Sequence, residues 1–137
     1  MLSTEELEKY IYNEIQTRLG NISCNNLFFA EGSDSSIEGT YIFNKDNEYH
    51  ILFTEKGKIR NDIVTNEVKE VLWNALGIFS ANMVMDYAIQ NRKKGKDFRR
   101  ALFAKEKEIF SLFGKEFQKR KDEEIEEILN RNPYNDI

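Results

Sequence analysis

The stretch EGTYIFNKDNEYHILFTEKGKIRNDIV, residues 38–64, decides the fold. Its apolar side chains recur with a period of two, the pattern of strands that pack one face on a core. Tyr41, Phe43, Tyr49, Ile51, Phe53, Ile59 and Ile63 all fall on odd positions and are expected to share that face. For the face to stay continuous through both chain reversals, opposed residues must have the same parity, which calls for loops with an odd number of residues. Lys45-Asp46-Asn47 and Glu55-Lys56-Gly57 fit three-residue hairpin loops, whose last position is left-handed and suits Asn or Gly. This register pairs Phe43 with Tyr49 and Phe53 with Ile59 on the core side. On the other side it sets His50 between Ile42 and Asp62, on a half-polar face with Thr40, Leu52 and Arg60 that is either solvated or open to a partner.

Upstream of the sheet, Ser3 followed by Glu6 forms a capping box, and Leu7, Tyr10, Ile11, Ile15 and Leu19 recur at helical spacing as far as Gly20. Residues 27–30 form a short strand candidate, joined to the sheet by the polar connection EGSDSS. Downstream, Thr65 or Asn66 is typed to cap a helix whose stripe is Val68, Val71, Leu72, Ala75, Leu76, Phe79, Met83 and Tyr87. Gly95 fits its end, and Asp97 caps a third helix carrying Phe98, Leu102, Ile109 and Phe113. Gly114 interrupts the pattern before a fourth helix with Phe117, Ile125, Ile128 and Leu129, which Pro133 stops. The expected fold is α+β: an N-terminal helix, an antiparallel sheet of three or four strands in a meander, then three helices packed on the sheet. A chain of 137 residues suits one domain over residues 1–137.

With 40% hydrophobic and 12% aromatic residues the chain is too apolar for disorder, and its 32% charged residues predict a well-solvated surface. No apolar run approaches the roughly 20 residues of a membrane span, and the acidic start MLSTEELEKY is unlike a secretory leader. A single cysteine, Cys24, cannot form an internal disulfide, so a cytoplasmic address is expected. One cysteine and one histidine exclude the usual zinc clusters, and no cofactor-binding loop is present, so neither metal nor cofactor is expected. Charge is distributed unevenly. Residues 92–107 hold Arg92, Lys93, Lys94, Lys96, Arg99, Arg100, Lys105 and Lys107 against Asp97 and Glu106, a balance of +6 that leaves −10 on the rest of a chain whose net charge is −4.

Arg99 and Arg100 stand out because they fall in the first turn of the third helix, the unfavourable end for a cation. Either carboxylates such as Asp86, Asp97 or those of the last helix compensate them, or they recognise an acidic partner surface. A basic segment interleaved with Phe98 and Phe103 also resembles nucleic-acid binders, but Phe98 lies on the core stripe and the −10 elsewhere repels a polyanion. Catalysis finds only His50 with Asp62, and no serine or cysteine beside them. Asn44, Asp46 and Glu48 alternate as a calcium loop begins, yet the required Gly and closing Glu are missing, so a turn is expected there. The acidic run at residues 122–127 reads as the wet face of a helix or as a clamp for a basic partner. Binding of another protein, without chemistry, is the expected function, with a nucleic-acid-associated or regulatory module acting through residues 92–107 as the alternative.

A resemblance sharpens this. The stretch YAIQNRKKGKDFRRALF (residues 87–103) and the ending EIEEILNRNPYND (residues 124–136) resemble the immunity protein 63 family of bacterial polymorphic toxin systems. The family pattern falls on Tyr87, Arg92, Asp97, Arg99, Arg100, Phe103, Ile128, Leu129, Pro133, Tyr134 and Asp136, and departs from it at Ala88 and Glu106. The resemblance implies a cytoplasmic, non-catalytic protein that binds a cognate toxin domain and blocks it. The residues expected to contact that partner are Tyr87, Arg92, Asp97, Arg99 and Arg100, joined by His50, Asp62 and Arg60 from the sheet.

Overall fold

Ser3 begins the first helix as its sequence requires: its side chain accepts from the Glu6 backbone N–H while Glu6 reaches back to the Ser3 N–H. The structure, a computed structural model, describes residues 1–137. Helix α1 (Thr4–Leu19) leads into strands β1 (Leu27–Phe28), β2 (Gly39–Lys45), β3 (Glu48–Glu55) and β4 (Lys58–Thr65). Helices α2 (Val68–Gln90), α3 (Arg99–Ser111) and α4 (Lys115–Arg131) follow, so the α+β class and the element order are those expected. Two compact units, residues 1–79 and 80–137, divide the chain at a point inside α2.

In the first unit the sheet order is β1-β2-β3-β4, and β1 runs parallel to β2, so the sheet is mixed where an antiparallel one was expected. The cause is the segment between them. A tight turn would reverse the chain, whereas residues 29–38 carry it round to re-enter the sheet in the same direction. The Thr40 N–H then donates to the Asn26 carbonyl at 2.8 Å.

The hairpin register also differs from expectation. Both loops have two residues, Asp46-Asn47 and Lys56-Gly57, because Lys45 pairs with Glu48 and Glu55 with Lys58. All four central residues have positive φ, between 53° and 73°, the primed-turn geometry that matches strand twist. Phe43 therefore opposes His50 instead of Tyr49, and Thr54 opposes Ile59. A bulge then leaves Arg60 without a paired residue and restores equal parity, so that Ile51 opposes Ile63.

One sheet face accordingly carries Ile42, Tyr49 and Ile51, and the other carries Tyr41, Phe43 and Leu52. The expected register requires one buried face, and this sheet buries side chains on both. α1 packs against β2 with Leu7, Ile11 and Ile15 fully buried, and the Tyr49 hydroxyl accepts from the Leu2 N–H at 2.8 Å. On the opposite face Tyr41, Phe43 and Leu52 form their own cluster, with Phe28 stacked on Tyr41 at 4.9 Å. Gly32 presses on that cluster so closely that a Cβ there would lie 2.6 Å from the Tyr41 ring. Ile59, expected in the core, is instead exposed.

The second unit is helical. α3 packs on α4, with Ile109, Phe110, Phe117 and Ile125 buried, and Gly114 at φ 111° makes the break between them. Phe113 belongs to that break, since α3 stops at Ser111. Lys121 is buried among them, bound to Glu106 at 3.3 Å and Glu124 at 2.9 Å with its ammonium over the Phe110 ring.

Candidate partner-binding site

The basic segment between α2 and α3 is built around Asp97. Its carboxylate accepts from the Arg99 backbone N–H at 2.9 Å, which satisfies a donor of the first helical turn, although the cap position of α3 falls on Phe98, one residue after the expected Asp97, and Phe98 makes no side-chain cap. The same carboxylate receives the Arg99 guanidinium (Nη2 at 2.9 Å, Nε at 3.3 Å) and the Asn135 N–H at 2.8 Å. These donors, the Arg99 guanidinium first, hold the Asp97 carboxyl well below the usual carboxylate range. Arg99 continues to the end of α4, donating to the Asn132 carbonyl at 2.9 Å and the Pro133 carbonyl at 2.8 Å. A cation that is badly placed at the start of one helix is thereby well placed at the end of another.

Arg100 is compensated from the C-terminal tail. Its Nε and Nη2 bind both oxygens of Asp136 at 2.8 to 3.1 Å, and its guanidinium lies over the Tyr134 ring at 4.1 Å. Asp136 also accepts the Asp97 N–H at 2.7 Å, and its carboxyl too is held low, by Arg100 first. Phe103 meets Tyr134 with ring centroids 6.3 Å apart. The family-like residues Asp97, Arg99, Arg100, Phe103, Pro133, Tyr134 and Asp136 thus form one clasp that pins the tail across the start of α3. Gly95, at φ 80°, makes room for it, since a Cβ there would lie 2.9 Å from the Ile137 carbonyl oxygen.

Beside the clasp lies a cavity of about 590 Å³ lined by Tyr87, Asn91, Arg92, Lys93, Lys96, Asp97, Arg100 and Ala101. It brings together Tyr87, Arg92, Asp97 and Arg100 of the expected contact residues and leaves Arg99 outside its wall. Sequence reading did not single out Asn91, Lys93 or Lys96 as lining residues, although both lysines fall in the basic window. The Asn91 amide donates to the Tyr87 carbonyl at 2.9 Å and so ties off the end of α2. Lys105 stands over the Tyr87 ring at 5.0 Å, and Arg92 over Phe98 at 5.8 Å.

The three sheet residues separate. His50 Nδ1 lies 3.1 Å from both oxygens of Asp62, as the sequence pairing intended, but the contact is diagonal, because His50 opposes Val64 and Asp62 opposes Leu52. The imidazole stacks on Phe43 at 4.9 Å with the rings 3° from parallel. Arg60, expected on the same face, stands at the bulge and lines a different cavity with Asn26, Thr40, Phe53 and Ile78.

Among known families, the one described as Immunity protein 63 matches over residues 45–127. The matched stretch takes in β3, β4, the basic segment and most of α4, and stops short of Pro133, Tyr134 and Asp136. No curated protein and no solved structure matches the chain.

Proposed function

Because the chain belongs to the immunity protein 63 family, we propose that it binds a cognate toxin domain of a bacterial polymorphic toxin system and neutralises it without catalysis, in the cytoplasm of the producing cell. The family match carries this reading, and the exposed basic cavity beside the clasp supports it. Binding of this kind needs buried anchors and charge complementarity over roughly 800 Å² per partner, not a reactive constellation. In this reading Tyr87, Arg92 and Arg100 touch the toxin, while Asp97 and Arg99 hold the segment that presents them. His50 and Asp62 offer a second polar patch on the sheet, with Arg60 at the bulge.

Co-expression tests the proposal. The chain should restore growth to cells expressing the toxin encoded in the neighbouring reading frame. His50→Ala should still neutralise the toxin once bound, with at most a weaker affinity, because the imidazole stacks on Phe43 and pairs with Asp62 and contributes surface, not chemistry. A folded His50→Ala protein that binds the toxin as tightly as wild type yet fails to neutralise it would contradict the non-catalytic reading.

A further inference from the structure

Within the cavity between α2 and α3 the positive charge is only partly answered. Asp97 is its one carboxylate, and the Arg99 guanidinium, the Arg99 N–H and the Asn135 N–H already surround its oxygens. Asp136 answers Arg100 and lies 3.9 Å from Lys96. Arg92 has only the Phe98 ring, and no carboxylate is paired with Lys93. Resting on the immunity reading above, we infer that this cavity receives an acidic segment of the toxin, whose carboxylates complete the coordination of Arg92, Lys93 and Lys96.

The chain's own tail shows how such a carboxylate is held. Asp136 takes two guanidinium donors of Arg100 and one backbone N–H from Asp97, all within 3.1 Å. An incoming Asp or Glu meets the same kind of donors on the adjoining wall, where Arg92 supplies a fork and the lysines supply point charges. A volume of about 590 Å³ accommodates a few side chains, not the length of a nucleic-acid strand. A polyanion running beyond the cavity would also meet a body carrying −10, including the exposed Asp122, Glu123, Glu126 and Glu127 of α4 in the same unit. Repulsion is felt within about 8 Å at physiological salt, so a short acidic segment confined to the basic wall escapes it.

The test uses the full chain and the triple variant R92E/K93E/K96E, whose side chains lie outside the Asp97–Arg99 pair and whose fold is checked by thermal melting. Labelled octaglutamate, titrated at low salt and followed by amide NMR, should shift residues 91–97 in the wild type and leave the variant unmoved. An absence of shifts, or equal shifts in both proteins, overturns the inference whatever the toxin does. Against the toxin domain from the neighbouring frame, the variant should associate at least about tenfold more slowly than wild type and lose most of the salt dependence. A complex that forms at the wild-type rate overturns the acidic-segment inference and leaves the immunity reading standing. No complex with wild type, despite the octaglutamate shifts, overturns the immunity reading instead. Tighter binding of wild type to a poly-uridine RNA than to the toxin, lost in the variant, would reassign the cavity to nucleic acid.

Discussion

At the residue scale Asp97 does several jobs with one carboxylate: it accepts the Arg99 N–H at the start of α3, fixes the Arg99 guanidinium and takes the Asn135 N–H. Asp97→Asn keeps the size and an oxygen for the Arg99 N–H but loses the charge that the guanidinium needs, so it should lower the melting temperature by several degrees at neutral pH. The pH dependence follows from the carboxyls of Asp97 and Asp136, both held below their ordinary value of 3.8. In the unfolded chain they take up protons near pH 4, while in the native chain they stay ionised to lower pH. Their contribution to stability is therefore complete above about pH 5 and is lost as pH falls from about 4 downward. Melting curves from pH 7 to pH 3 should show that loss in the wild type and a shallower one in Asp97→Asn; parallel curves would contradict the clasp. The sequence flagged Arg99 and Arg100 because the dipole argument needs only a helix start. It could not single out Asp136 as the partner, which lies 36 residues from Arg100 and is brought there by the turn after α4.

At the element scale local chemistry read well and coverage did not. The capping box at Ser3 and Glu6 and the stop at Pro133 each depend on neighbours a few residues away and stand where the sequence put them, and the start of α3 falls within one residue of the expected cap at Asp97. The strands were also legible, but their register was not. Whether a strand alternates one buried face or buries two depends on what covers the second face. Here the cover is the connection from β1 to β2, brought against Tyr41 and Leu52 through Gly32. That contact predicts the effect of Gly32→Ala. The added methyl meets the Cγ of a ring that cannot swing away, so the variant should lose about 1–3 kcal/mol in urea unfolding. A loss below ~0.5 kcal/mol would mean that the connection can lift from the sheet at little cost.

At the scale of the whole molecule the boundary between the two compact units falls inside α2, and helix formation is cooperative, so each part of α2 favours the other. We propose on this ground that residues 1–137 form one cooperative domain. Urea unfolding followed by the fluorescence of Trp73 and by far-ultraviolet circular dichroism should give coincident transitions. Two separated transitions would identify residues 1–79 and 80–137 as independent. The proposed function also belongs to this scale, because in that reading a basic wall on an acidic body would act through its field on a partner and not through one reactive group. The most direct measurement is a titration of the neighbouring frame's toxin domain with the purified chain, followed by the toxin's own activity. A stoichiometric binder predicts a linear fall to zero at equimolar protein, unchanged by incubation time. Inactivation that continues with time at substoichiometric protein, or activity that persists at saturation, would contradict it.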